Sequence, residues 1–137
     1  MFMYIFKKFI VVIFSLIVLS AYAKESPTKI AGAKTVSTSE AKKLFDQGVL
    51  FVDTRSDKDW EAGRIPDALH LNVKTSFSEK ALLEEMGKND PVVMYCNGAS
   101  CLRSAKATEQ AVAWGFTNVY FYRDGFPAWK AAGYVVE

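Results

Sequence analysis

The chain is 137 residues long, 50% hydrophobic and 23% charged, with a formal net charge of +2 at neutral pH, two cysteines and one histidine. That length suits one domain with one core, large enough to fold without a disulfide framework. The near-neutral balance leaves no electrostatic footprint for nucleic acid, and two cysteines and one histidine without close ligand spacing make a poor zinc site.

The chain opens on an apolar segment. Lys7 and Lys8 precede the run FIVVIFSLIVL, and the small-residue site Ala21-Tyr22-Ala23 follows it. That order is the pattern of a secretory signal peptide over residues 1–23, cut before Lys24. Phe9 to Ala23 spans 15 residues, short of the ~20 a membrane-spanning helix needs. No stable membrane insertion is therefore expected after cleavage, an uncleaved anchor being the alternative. Removing 23 of 137 residues leaves a mature chain of 114 that has lost two lysines and no acids, so its formal net charge is zero. Export points to a periplasmic or secreted protein, in a setting that tends to oxidise cysteine pairs.

Residues 24–33 are polar, with Pro27 and Gly32 and no apolar period, and read as a leader into a domain over 34–137. After a short extended Lys34-Thr35-Val36, Ser37 and Glu40 have capping-box spacing and open a helix to about Gln47, which Gly48 ends. The apolar run VLFVD predicts a strand buried on both faces. From Thr54 to Ala68 the sequence reads as a loop with one helical turn, Ser56 being its candidate cap and Gly63 and Pro66 its breakers. LHLNV predicts a short strand, and SEKALLEEM a helix capped by Ser78 and ended at Gly87. PVVMY is again a buried strand, with Pro91 at its first position, where a missing N–H does least harm. A helix over Arg103 to Trp114, a strand NVYFY and a short final helix GFPAWKAAG complete the chain. Strands and helices alternate throughout, which predicts an α/β fold with a mainly parallel five-stranded sheet and helices on both faces.

Both cysteines fall in one loop, YCNGASCLRS, between the PVVMY strand and the following helix. Ligands of open α/β sheets bind beyond the carboxyl ends of the strands, which makes Cys96 a candidate nucleophile. A loop curling into a helix start turns its amides inward and, with the helix dipole and Arg103, favours a negative charge at its centre. Thiols so placed fall from a pKa of ~8.5 to ~3.5–7.5. Gly98 permits close backbone approach or a positive φ. The plain alternative is an ordinary Cys96–Cys101 disulfide. Asp53 and Arg55 suit loop support better than a base and substrate clamp, and a dyad of Cys96 with His70 has no further support in the sequence. Trp60, Trp114 and Trp129 read as core or bracing residues.

These segments resemble the rhodanese-like sulfurtransferases. VDTRSDKDWEAGRIPDALHLN is similar to the first family signature: Asp53 and Arg55 match, Asp59-Trp60 stand for the acidic-aromatic pair, and Gly63 to Ala68 stand for the Gly-His-Ile-Pro-Gly-Ala turn. VVMYCNGASCLRSAKA is similar to the active-site strand, loop and helix, and Gly125 and Trp129 carry the closing Gly-x-x-x-Trp segment. The resemblance covers about Lys34 to Glu137. It implies that Cys96 takes a sulfane sulfur from a donor such as thiosulfate, holds it as a persulfide and passes it to a thiol or cyanide acceptor by ping-pong chemistry. The amides of Asn97, Gly98, Ala99, Ser100, Cys101 and Leu102 would hold the persulfide and the donor's oxyanion. Arg103 would supply fixed positive charge, and Asp53, Arg55 and Ser104 would support the loop. No cofactor or metal is implied.

The chain departs from the family pattern twice. Typical members have four residues between the nucleophile and the loop arginine, and rhodanese-fold phosphatases and arsenate reductases have five, whereas Asn97 to Leu102 make six here. The wider loop leaves room for a larger donor or a phosphate-like or arsenate-like anion. Cys101 is the second departure. Its thiol, attacking the Cys96 persulfide, would release sulfide and leave a Cys96–Cys101 disulfide, provided the Cα atoms lie within ~4.4–6.8 Å. The expected partners are then a small sulfur donor, its acceptor, and a periplasmic thiol reductant or sulfur-carrier protein. Two alternatives remain: a thiol-dependent oxidoreductase or oxyanion reductase on the same loop, and a non-catalytic module that binds an anion or a protein with the disulfide closed.

Overall fold

The computed structural model describes residues 25–137; the apolar N-terminal run and its cleavage site lie outside the described residues. Among the described residues ten elements alternate: β1 (Ala33–Thr35), α1 (Thr38–Asp46), β2 (Leu50–Asp53), α2 (Asp57–Ala62), β3 (Leu69–His70), α3 (Glu79–Leu83), β4 (Val92–Tyr95), α4 (Arg103–Ala113), β5 (Val119–Tyr122) and α5 (Gly125–Ala131). All four strand pairings are parallel, in the order β1-β5-β4-β2-β3.

Period-two alternation sorts the strands between two cores. Val52, Val92, Met94 and Val119 face Leu82 and Met86 on one side, with Ala107 and Ala111 of α4. Phe51, Val93, Tyr95 and Tyr122 face Ala41 of α1 and Trp129 of α5 on the other. With both faces covered, all four residues of β4 are buried, which is why it reads as a continuous apolar run.

The helices start where the sequence marks them. In α1, the Glu40 amide donates to Ser37 Oγ at 3.2 Å and the Ser37 amide to Glu40 Oε1 at 3.2 Å, a reciprocal cap. Ser56 and Ser78 cap α2 and α3 in the same way from one side. Trp129 is fully buried against Phe45, Phe51 and Tyr134, and its indole N–H donates to the Val135 carbonyl at 2.9 Å. Burying a side chain of that size contributes roughly 4–6 kcal/mol as an upper bound.

Two elements are shorter than expected. The LHLNV strand is ladder-paired only at Leu69–His70; Asn72 turns inward instead, its Oδ1 accepting the Lys74 amide at 3.0 Å. Helix α3 ends at Leu83 rather than near Met86. The leader joins the fold, with Ser26 and Ile30 both buried.

Strand order fixes where a site can lie. From β2 the chain moves outward to β3, and from β4 it moves the opposite way to β5. The carboxyl ends of β2 and β4 therefore flank the point where the winding reverses, the place ligands occupy in open parallel sheets. Asp53 and Tyr95 end those two strands in direct register, and Cys96 follows Tyr95.

Candidate active site

Parallel register brings Asp53 and Tyr95 side by side on one face, so residues 42 apart in sequence become bonded: the Tyr95 hydroxyl donates to Asp53 Oδ2 at 2.6 Å. Arg55 closes on the same carboxylate, with Nη2 2.7 Å from Oδ2, Nε 3.0 Å from Oδ1, and its own amide 3.0 Å from Oδ1. Asp53 is wholly buried and Arg55 3% exposed. Burial first, and then the Asp53 charge, push the Tyr95 hydroxyl far above its ordinary pKa.

The free end of Arg55 reaches the loop. Its Nη1 donates to Asn97 Oδ1 at 3.1 Å, its Nη2 also donates to the Gly63 carbonyl at 2.6 Å, and its guanidinium lies 4.5 Å from the Phe126 ring centre. The other end of the Asn97 amide donates to Asp59 Oδ2 at 2.9 Å, and this bond is the main cause that holds the Asp59 carboxyl below its ordinary pKa. The residue after Cys96 is thus gripped from both sides.

The backbone around Cys96 is equally fixed. Thr54 donates to the Tyr95 carbonyl through its amide (3.2 Å) and its hydroxyl (2.9 Å), and the Phe126 amide donates to the Cys96 carbonyl at 2.8 Å. Gly125, at φ +66°, allows that approach, because a Cβ there would lie 2.9 Å from both the Cys96 carbonyl carbon and the Gly98 nitrogen. On the far side of the loop the Ser26 amide donates to the Ala99 carbonyl at 2.7 Å, and Arg123 holds the Ser26 carbonyl through Nη2 at 2.9 Å.

Cys96 and Cys101 are joined as a disulfide, with Cα atoms 6.2 Å apart, within the usual range for such bonds. Cys96 is fully buried and Cys101 half-buried. Gly98 takes φ +111° to turn the loop. Among the described residues, the Cys101 amide donates to Gly98 at 3.0 Å, while the amides of Asn97, Gly98, Ala99, Ser100 and Leu102 have no protein acceptor. The N-terminus of α4 has no side-chain cap among the described residues either. Unengaged amides at a helix start suit an anion or a thiolate.

The sequence-predicted residues fall around this loop in different ways. Arg103 starts α4, and its Nη1 donates a long hydrogen bond to Asn72 Oδ1 at 3.5 Å. Ser104 is buried beneath the loop, but its Oγ has no hydrogen-bond partner among the described residues; its carbonyl accepts the Thr108 hydroxyl at 2.7 Å. His70 stacks on Trp60 with ring centres 4.7 Å apart and meets the Arg55 carbonyl through Nε2 at 2.9 Å. It bonds to neither cysteine among the described residues. Tyr95, Asn72, Gly125 and Ser26 complete the site without a sequence motif that marks them as site residues. Gly125 had a signal only as part of the closing Gly-x-x-x-Trp segment, whereas Ser26 acts through its backbone and left none.

Residues 37–132 match the rhodanese-like domain model. The chain belongs to the rhodanese-like domain family. A thiosulfate sulfurtransferase GlpE from Pseudomonas syringae pv. syringae is 31% identical over 97 residues, covering 71% of this chain and 87% of that protein. A tRNA uridine(34) hydroxylase from Buchnera aphidicola is 33% identical over 85 residues, but the match spans 60% of this chain and only 27% of the hydroxylase. Among solved structures, the BH2092 protein of Bacillus halodurans superposes with a TM-score of 0.68 at 20% identity, covering 77% of each chain, a likeness of fold. Within this rhodanese-like domain, the β4–α4 junction that carries Cys96 is the region where the fold, the unengaged amides and the candidate nucleophile coincide.

Proposed function

We propose that the protein is a sulfurtransferase of the thiosulfate type whose working form has an open loop. The Cys96 thiolate attacks the outer sulfur of thiosulfate, sulfite departs with the electron pair of the S–S bond, and Cys96 carries a persulfide. A thiol or cyanide then takes the outer sulfur and restores the thiolate. Alternatively, the Cys101 thiolate attacks the Cys96 sulfur, hydrosulfide leaves, and the closed disulfide results; a two-electron thiol reductant must then reopen it. The observation that carries the reading is a buried cysteine at the sheet's reversal point, in a loop whose amides have no protein acceptor among the described residues. The likeness to the GlpE sulfurtransferase supports the choice of donor. We place the reaction outside the cytoplasm, on the strength of the signal-like N-terminus and the paired cysteines.

The disulfide itself favours a second reading, a thiol–disulfide oxidoreductase on the same loop. Intact mass separates the two. Reduced protein treated with thiosulfate is expected to gain one sulfur atom, and Cys96→Ser to gain none while Cys101→Ser still does. A protein that gains no sulfur after full reduction, yet exchanges its disulfide with thiols, refutes sulfur transfer and leaves the oxidoreductase.

A further inference from the structure

The two sulfurs of the closed loop are not equivalent. A thiolate breaks a disulfide by attacking one sulfur while the other leaves as thiolate, and the better the leaving thiolate is stabilised, the faster the exchange. Cys96 is fully buried, whereas Cys101 is partly open to solvent. Access therefore favours attack at Cys101, with Cys96 as the leaving thiolate in a loop whose amides at Asn97, Gly98, Ala99, Ser100 and Leu102 have no protein acceptor among the described residues.

A cavity of about 390 Å³, within the ~300–1,000 Å³ range of small-molecule sites, is lined by Leu102 and Arg103, the two residues that follow Cys101 in sequence. Leu102 and Pro27 give it apolar wall, Leu102 being 40% exposed. Lys74, Arg103 and Lys106 line it against a single carboxylate, Glu109. None of these three cations forms an ion pair among the described residues. Three unpaired cations around one concavity raise the local concentration of anions.

We propose that this cavity is a docking site for a small thiol bearing carboxylates, which opens the loop through Cys101. The first thiolate forms a mixed disulfide with Cys101 and expels Cys96 as thiolate. A second thiolate then attacks the sulfur of the bound thiol, releases the oxidised thiol pair and leaves Cys101 as thiolate, so two electrons and two thiols account for the opening. The inference rests on the closed loop and not on sulfur transfer, and its test uses no thiosulfate, so either can fail alone.

The test compares second-order rates of loop reduction by mercaptosuccinate, 2-mercaptoethanol and cysteamine, expressed per thiolate, corrected for thiol basicity and followed by alkylation and intact mass. At low salt, mercaptosuccinate is expected to be favoured by roughly tenfold, the low end of what a charged cleft contributes. Cysteamine is expected to be the slowest. The preference should vanish in Lys74→Glu/Lys106→Glu and in 1 M salt, where the screening length falls to ~3 Å. Both lysines are exposed, and cooperative urea unfolding of the oxidised variant reports that it keeps its fold; the 2-mercaptoethanol thiolate, itself an anion, is expected to slow too, but less than mercaptosuccinate. Equal rates for mercaptosuccinate and 2-mercaptoethanol overturn the proposal. So does a mercaptosuccinate preference that survives the double charge reversal.

Discussion

Asp53→Asn removes one charge from the interior with almost no change in size, and leaves Arg55 facing an amide instead of a carboxylate. In the wild type, Arg55 is 3% exposed and meets Asp53 at 2.7 Å. Two unit charges at that separation attract by about 6 kcal/mol at an effective dielectric constant of about 20. Desolvation of both groups offsets much of this, and breaking such a pair from one side costs about 3–5 kcal/mol because the remaining charge stays buried. We expect Asp53→Asn to fall in that range. The assay is equilibrium urea unfolding of the oxidised protein, where an m-value of about 1–3 kcal/mol per M converts the loss into a midpoint lower by at least about 1 M. Asp53→Leu/Arg55→Met, which removes both charges, is expected to lose clearly less than Asp53→Leu and Arg55→Met added together. A loss below about 1 kcal/mol in Asp53→Asn, or strict additivity in the cycle, would refute the view that this pair locks the strand end to the loop.

Two further perturbations probe the loop. Gly125→Ala puts a methyl group against backbone atoms of Cys96 and Gly98 and forces alanine to φ +66°. It is expected to cost about 2 kcal/mol or more in urea unfolding and to slow sulfur loading of the reduced protein by roughly tenfold; an unaffected loading rate would show that the loop tolerates displacement. Asn97→Ala removes the first cause of the lowered Asp59 pKa. A carboxylate depressed in the folded state contributes stability above its unfolded pKa of ~3.9 that is lost as pH falls through its folded value. The variant should therefore show Asp59 titrating at higher pH by NMR and a smaller loss of stability in acid. An unmoved Asp59 titration would exclude the Asn97 bond as the cause.

Local chemistry was legible in the sequence. Apolar runs, the Ser37–Glu40 spacing and the alternation of strands and helices determined an α/β domain, because each depends on residues within one element or its immediate flanks. The position of Cys96, between a buried strand and a helix start, followed from the same local order. Tertiary structure alone decided the rest. The bond of Tyr95 to Asp53 depends on the register of two parallel strands 42 residues apart, and no local pattern sets that register. Ser26 grips Ala99 through its backbone amide, which every residue except proline carries, so its side chain gave no sign. The cysteines were visible as a pair, but their joining required loop backbone that brings the Cα atoms to 6.2 Å. That path is set by the contacts of Thr54, Phe126, Gly125 and Ser26 with the loop, all of them distant from it in sequence.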